Sequence, residues 1–222
     1  MWKRAIAAAV AGIFISVAPA FAQRVEVGAT FGWSLSDGVE LDAPILGGDG
    51  NLYDRVDPKD SGAWGFNVGY LVGNMEVGFL FNQQLSKLEA DGPNATTEIG
   101  DMSVNNYHGY FAYNFGEAEA TVRPYALFGL GATTFGSVDF TTVGGLDVTT
   151  ESDTQFSTTW GAGVKVFPSP NFGIRIGASW TPTYIKTDAE GWWCDPYWGC
   201  YLVGDAQYAN SLQFNGGVVF RF

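Results

Sequence analysis

The feature that most constrains the fold is a two-residue alternation of apolar with polar or small side chains, which recurs along most of the chain. In the first such segment, residues 24–35, one parity holds Val25, Val27, Ala29, Phe31, Trp33 and Leu35. The other parity holds Glu26, Gly28, Thr30, Gly32 and Ser34. A period of two is that of a β-strand, because successive side chains point to opposite faces. The alternation therefore predicts strands with one apolar and one polar face.

Eight segments of this kind occur, and the gaps between them are alternately long and short. The segments cover about 24–35, 64–72, 75–82, 106–115, 122–134, 156–166, 172–184 and 208–222. The long gaps, at 36–61, 87–103, 136–155 and 187–206, are expected to be loops; the short gaps are turns. This pattern predicts an all-β fold, an eight-stranded antiparallel up-and-down transmembrane β-barrel, since such barrels have short turns at one end and long loops at the other.

Aromatic residues support a membrane barrel. On the predicted outward faces they fall at two heights, with apolar side chains between them. One rim would hold Trp33, Trp64, Tyr107, Trp160, Trp180, Tyr184 and Tyr208, and the other Tyr70, Tyr113, Phe115, Phe172, Phe220 and Phe222. Two aromatic girdles around an apolar band are typical of a membrane-spanning barrel. In the fifth strand both parities are partly apolar, and the outward set is expected to be Ala126, Phe128, Leu130 and Ala132.

The N-terminus predicts export. Lys3 and Arg4 precede an apolar run, residues 5–17, and the segment closes on an A-x-A motif at residues 20–22. This is the pattern of a secretory signal peptide, expected to comprise residues 1–22 and to leave residues 23–222 as a single domain. After it, no run of about 18 apolar residues predicts a spanning helix. The formal net charge of −12 argues against binding to nucleic acid, which requires a basic surface.

The C-terminal residues resemble the assembly signal of bacterial outer-membrane barrels, through Asn215, Gly217, Phe220 and Phe222. The run Arg123–Ala132 is similar to a stretch common in the same superfamily. The chain thus resembles the small outer-membrane barrels of the OmpA and OmpX type, without the peptidoglycan-binding domain of OmpA. The resemblance implies the outer membrane of a Gram-negative-type bacterium, with both termini periplasmic. It also implies contact with outer-membrane lipid and lipopolysaccharide, and insertion by the barrel-assembly machinery.

The inward parity carries ionisable side chains, for which we expect a charge network inside the lumen. Its members are Glu26, Glu76, His108, Lys165, Arg175 and Arg221, with Arg123 a further candidate. An eight-stranded barrel has an interior just wide enough for side chains, and charges there must pair. The network is either a structural plug or the gate of a narrow pore. Many inward positions are glycine, which would either leave space for water or serve strand curvature.

The last long gap contains the two cysteines, Cys194 and Cys200, which are expected to form a disulfide in an exported protein. Five aromatic residues lie on the same loop: Trp192, Trp193, Tyr197, Trp198 and Tyr201. They would either pack on the rim and the outer leaflet or form a surface for an extracellular glycan, lipid or protein ligand.

No catalytic, cofactor or metal site is predicted. His108 is the only histidine, its flanking residues are Asn and Tyr types, and no serine pairs with it in the sequence pattern. The acidic first gap resembles a calcium loop only at Asp49-Gly50-Asn51. The expected function is a non-enzymatic outer-membrane barrel with a structural or surface-interaction role through its long loops. The alternatives are a narrow channel for small solutes through the charged lumen, and a soluble lipocalin-like carrier whose larger apolar face points inward.

Overall fold

A computed structural model describes residues 25–46, 51–117, 119–141, 147–149, 151–185, 191–195, 199–203 and 207–222. These residues form fourteen β-strands: β1 (Val25–Asp37), β2 (Val39–Leu46), β3 (Leu52–Pro58), β4 (Ser61–Val72), β5 (Met75–Asp91), β6 (Thr96–Asn114), β7 (Val122–Phe135), β8 (Asp139–Thr141), β9 (Asp147–Thr149), β10 (Asp153–Ser169), β11 (Phe172–Ile185), β12 (Gly191–Asp195), β13 (Gly199–Val203) and β14 (Gln207–Arg221). Among the residues described, no helix is long and apolar enough to cross a membrane.

Eight of the strands close into an antiparallel barrel, which confirms the predicted fold. Each strand pairs with its neighbour in the order β1, β4, β5, β6, β7, β10, β11 and β14, and β14 pairs with β1 to complete the ring. At the closure, the Val25 and Phe222 backbones exchange hydrogen bonds of 3.1 and 2.9 Å. Both residues therefore lie at one end of the barrel, called the terminal end below. The opposite end is the loop end.

Side chains alternate between the lumen and the outer surface as the period of two predicts. Large apolar residues face outward, as in β1, where Phe31 is 70 % exposed. The fifth barrel strand, β7, follows the expected facing: Ala126 and Leu130 are exposed, whereas Arg123 and Tyr125 are buried. The outside is thus the apolar face and the lumen the polar face. This is the reverse of a soluble ligand carrier.

Tight turns join the strands at the terminal end. Gly73 connects β4 to β5 with a φ of +62°, and Gly116 lies between β6 and β7 with a φ of +92°. Both values lie in the left-handed region, which glycine adopts without the steric cost that a Cβ imposes. Short connections at this end leave the long connections to the loop end, as the spacing of the segments predicts.

Two of the predicted loops are wrong in part, because they continue the barrel wall as sheet. The gap at 36–61 contains β2 and β3, and the gap at 87–103 is the upper part of β5 and β6. Along β5, strand β4 pairs as far as Gln84, and β3 pairs from Leu88 onward. The four strands β2, β3, β5 and β6 thereby form a projecting sheet, defined as residues 39–46, 52–59, 87–91 and 96–102. Several of its exposed residues are charged, such as Asp54, Lys87 and Glu98, so the sequence there does not show a continuous apolar outward face.

The projecting sheet has a small hydrophobic core of its own. On its inner face Met102 and Val104 are buried with Val138, from the segment that follows β7. Leu88, Ile99 and Phe135 pack against this cluster. Two further hairpins, β8–β9 and β12–β13, lie in the other long gaps. The loop end thus contains regular structure in addition to the barrel.

Candidate functional site

The inward positions of six barrel strands bring ionisable side chains into the lumen. Glu26 on β1, Glu76 on β5 and His108 on β6 are each no more than 1 % exposed. Lys165 on β10, Arg175 on β11 and Arg221 on β14 are at most 7 % exposed. All six predicted lumen residues are therefore buried, but the structure divides them into three groups.

Four of them form one connected set, the lumen ion-pair cluster of Glu26, Glu76, Lys165 and Arg221. Lys165 Nζ donates hydrogen bonds to a carboxylate oxygen of Glu26 and, at 2.6 Å, to Glu76 Oε2. Arg221 donates to Glu26 Oε1 through Nη2 at 2.7 Å and Nε at 3.1 Å. Charge-assisted bonds of this length are among the stronger hydrogen bonds in proteins. The cluster ties four strands together across the terminal half of the lumen.

Neutral side chains complete the coordination of Glu76. The Tyr110 hydroxyl donates to Glu76 Oε1 at 2.5 Å, and Asn114 Nδ2 donates to Oε2 at 3.2 Å. Tyr110 in turn accepts a hydrogen bond from Asn67 Nδ2 at 3.3 Å. The alternation indicates that Tyr110, Asn114 and Asn67 face inward, but their bonding to Glu76 depends on the stagger of the barrel strands. The alternation in the sequence does not specify that stagger.

Arg175 stands outside the cluster and has neutral partners. Its Nε donates to the Tyr125 hydroxyl at 2.8 Å, and its Nη1 donates to Asn67 Oδ1 at 3.1 Å. The guanidinium carbon also lies 4.6 Å from the centre of the Tyr125 ring, a cation–π distance. Sequence reasoning missed Tyr125 as a lumen residue of interest because the facing of β7 was ambiguous.

His108 belongs to a third group, nearer the loop end. Its Nε2 lies 2.9 Å from Ser157 Oγ, so the expectation that no serine pairs with it is wrong. Ser157 also accepts a hydrogen bond from Thr133. His108 Nδ1 is buried and has no hydrogen-bond partner among the described residues. In a hydrolytic triad a third residue bonds that nitrogen and orients the ring, and no described residue takes this place beside His108.

At some of the inward glycines, side chains from other strands occupy the space that a Cβ would need. A Cβ on Gly69 would lie 2.5 Å from Glu76 Oε1 and closer still to the Tyr110 hydroxyl, and one on Gly177 would lie 2.5 Å from the Tyr125 hydroxyl. The cavity beside Arg175 has a volume of about 20 Å³, lined in part by Thr30, Asn82 and Ser179. Such a volume holds about one water molecule. Gly69 and Gly177 therefore make room for tyrosine hydroxyls, whereas a Cβ on Gly32 or Gly65 would meet the backbone of a neighbouring strand.

A second set of ion pairs lies on the outer face of the projecting sheet. Lys59 Nζ contacts Glu89 at 2.8 Å and Glu98 at 2.7 Å, and Lys87 Nζ contacts Glu98 at 2.6 Å. Glu89 and Glu98 are direct cross-strand partners, and two carboxylates so placed would repel each other. Hydrogen bonds from Lys59 and Lys87 lower the pKa of Glu98 to about 2. These four residues are called the surface ion-pair cluster.

Asp57, on β3 of the projecting sheet, is an acid in an unfavourable site for charge. Burial, followed by a side-chain hydrogen bond and charge repulsion from Asp91, raises the pKa of Asp57 from 3.8 to about 7. Arg55 opposes the shift. In the described part of the chain, no three His, Cys, Asp or Glu residues are grouped so that they could hold a metal ion.

The aromatic loop is described only in its backbone. Cys194 and Cys200 are direct partners in the β12–β13 ladder, but the disulfide itself stays a prediction. Trp192, Trp193 and Tyr201 also lie on this hairpin, and nothing is described of their side chains. Tyr197 and Trp198 lie outside the described residues.

The four residues that resemble the assembly signal lie on or next to β14. Phe220 and Phe222 face outward at the terminal end, where Phe220 packs against Phe172 with ring centres 5.4 Å apart. Asn215 and Gly217 have the opposite parity, and a Cβ on Gly217 would overlap the Ala29 carbonyl oxygen. Glycine at 217 is therefore required by close strand approach, whatever its role in assembly.

Comparison with known proteins agrees with this architecture. A family model described as outer membrane protein beta-barrel domain matches residues 5–222. No curated protein matches the sequence significantly. Among solved structures, Neisserial surface protein A is 18 % identical, with 89 % of this chain and 97 % of that chain covered and a TM-score of 0.53. OprG from Pseudomonas aeruginosa is 12 % identical, with 90 % and 96 % covered and a TM-score of 0.58. The similarity to these two solved structures is one of fold. The family model covers almost the entire sequence, and the chain therefore belongs to the outer membrane β-barrel family.

Proposed function

We propose that the protein is a non-enzymatic integral outer-membrane barrel that acts through surface interactions at its loop end, with the lumen serving as a structural plug. The observation that carries this proposal is the contrast between a lumen filled by bonded side chains and a barrel wall that continues into the projecting sheet. Both termini would lie in the periplasm, because short turns at the terminal end are typical of the periplasmic side of such barrels.

The bonding of Lys165 supports the plug. Its ammonium group contacts both Glu26 and Glu76, and Glu26 also binds Arg221. Opening a path would separate these charges in a region of low dielectric, where breaking a buried pair by removing one partner typically costs 3–5 kcal/mol. The small cavity beside Arg175 is likewise too narrow for a hydrated solute.

The projecting sheet supports a surface role. Its backbone is paired and its inner face has a core, so a partner would meet a surface that is already ordered. Preorganisation of this kind reduces the entropy lost on binding. The outer face carries Lys59 and Lys87 above the outward-facing aromatic residues Trp64 and Tyr107. Two lysines just above the outward-facing aromatic residues are placed to bind phosphate groups of lipopolysaccharide. We take lipopolysaccharide as the first partner to test.

The first experiment measures lipopolysaccharide binding by the barrel refolded in phospholipid nanodiscs. One variant replaces residues 86–102 by a two-residue Asn-Gly turn between the cross-strand partners Leu85 and Ser103, and so removes the β5–β6 part of the projecting sheet. The matched control removes β8 and β9 instead. We expect affinity to fall at least tenfold in the first variant and to be unchanged in the control. Equal affinity in both variants would refute a surface role for the projecting sheet.

A narrow channel is the second candidate. It is favoured by Arg123 and Arg175, which are the cross-strand neighbours of Lys165 and offer alternative cations to the same carboxylates. Conductance of the refolded barrel in a planar bilayer separates the two functions. A silent barrel agrees with the plug. Stable ion-selective steps that change in Lys165→Met would establish the channel instead.

A further inference from the structure

The terminal half of the lumen contains more positive than negative charge. Arg123, Lys165, Arg175 and Arg221 are all buried there, against two buried carboxylates among the described residues, Glu26 and Glu76. Residues 1–24 and Ala118, which lie outside the described part of the chain, include no acidic side chain. Glu117 and Glu119, in the nearby turn, are exposed. Two positive charges therefore lack a buried carboxylate.

The cations are also crowded on one side of the lumen. In the ladder, Lys165 faces Arg123 on β7 and Arg175 on β11, so three cations occupy adjacent inward positions. Like charges directly opposite each other destabilise a sheet. Lys165 is compensated by its two carboxylates, and Arg175 lies over the Tyr125 ring and donates to its hydroxyl. Arg123 is left without an equivalent arrangement.

The Arg123 nitrogens that lack a described hydrogen-bond partner lie on one edge of its guanidinium. The side chain is 1 % exposed, and both Nε and Nη2 are buried with no hydrogen-bond partner among the described residues. These two nitrogens share one edge of the guanidinium, and their parallel N–H bonds form the fork that binds an anion through two hydrogen bonds. A buried charged donor without an acceptor is costly.

We propose that the lumen binds one small monovalent anion, of the chloride class, on the Nε–Nη2 edge of Arg123. The anion reduces the charge excess from two to one, and Arg175 carries the remaining charge against Tyr125 and Asn67. A monatomic anion is the smallest acceptor that both nitrogens can share, and side chains pack closely elsewhere in the lumen, where the separate cavity beside Arg175 measures about 20 Å³.

Crystals of the refolded barrel grown in sodium bromide test the site directly, because bromide scatters anomalously. We expect an anomalous peak within hydrogen-bonding distance of Arg123 Nε and Nη2. A peak only in the cavity beside Arg175, or no peak in the lumen, would overturn the proposal. The result is independent of whether the projecting sheet binds a partner, since no residue of that sheet contributes to the site.

Thermal unfolding in detergent provides a test in solution. Sodium chloride is compared with sodium gluconate at equal ionic strength, gluconate being too large to enter. Above the dissociation constant, a tenfold rise in chloride is expected to raise the unfolding midpoint by about 3–5 °C. Arg123→Leu should abolish this response, whereas Arg55→Gln, which removes an exposed cation, should retain it. Equal midpoints of the native barrel in the two salts would overturn the proposal without recourse to any variant.

Discussion

Both ion-pair clusters contain lysine–glutamate pairs, but in opposite surroundings. Lys165 Nζ and Glu76 are 2.6 Å apart in the lumen, and Lys87 Nζ and Glu98 are 2.6 Å apart on the projecting sheet. The Lys165 side chain is 2 % exposed and that of Lys87 is 47 % exposed. Distance alone does not distinguish the two pairs, and solvent access does.

Solvent access determines how much each ion pair contributes to the stability of the protein. In the lumen, removal of one partner leaves a buried charge that bulk water does not solvate and that has lost its direct ion pair, so the remaining members depend strongly on each other. On the projecting sheet, water and salt replace a lost partner, and an exposed pair contributes little. The lumen cluster therefore depends on all of its members, while the surface ion-pair cluster can lose one member at little cost to stability.

The largest expected effect comes from Lys165→Met. This change leaves Glu76 without a cation and Glu26 with Arg221 alone, and we expect a loss of about 3–5 kcal/mol in the free energy of unfolding. Urea unfolding in lipid vesicles measures it. The control is Lys165→Met with Glu76→Gln, which keeps the Glu26–Arg221 pair and should recover most of the loss. If the single variant unfolds like the native protein, the lumen cluster contributes no more to the free energy of unfolding than the surface ion-pair cluster does.

A smaller effect is expected from Gly69→Ala, which tests the packing around the lumen cluster. The new methyl group would overlap the Tyr110 hydroxyl and Glu76 Oε1, and would separate or displace their hydrogen bond. Overpacking of this kind costs about 1–3 kcal/mol. The same urea titration applies. Gly62→Ala is the matched control, since the nearest atom to its added Cβ is 4.0 Å away, and it should leave the midpoint unchanged.

The third prediction concerns pH and the projecting sheet. The pKa of Asp57 is raised to about 7, so the folded sheet binds a proton more tightly than the unfolded chain does. The stability of the projecting sheet is therefore expected to fall as pH rises from about 4 to about 7, and to lose this contribution above that range. Amide hydrogen exchange in β3, corrected for the intrinsic effect of pH, measures it. Asp57→Asn should remove the dependence; an unchanged pH profile in that variant would assign it to another group.

The same contrast explains how much the sequence could predict. Within the membrane, lipid requires one apolar face, so Phe31 and Glu26 show their facing directly in the alternation. The faces of the projecting sheet meet water or a small core instead of lipid. Charged residues such as Lys87 and Glu89 therefore give this strand the sequence pattern of a loop. The inward facing of Glu26, Glu76 and Lys165 follows from parity. Their bonding to one another, like that of His108 to Ser157, depends on strand stagger and side-chain reach, which parity does not specify.

Lys87→Gln is expected to have the least effect on stability. Lys59 remains in contact with Glu98, and water can solvate the oxygen that Lys87 leaves. The urea midpoint of the barrel should not change measurably, at low or high salt. If the lysines serve a surface function, the same variant should nevertheless weaken lipopolysaccharide binding, and added salt should weaken the native complex in the same direction. If Lys87→Gln destabilised the barrel without affecting lipopolysaccharide binding, the exposed lysine would act structurally. The roles assigned to the two clusters would then be reversed.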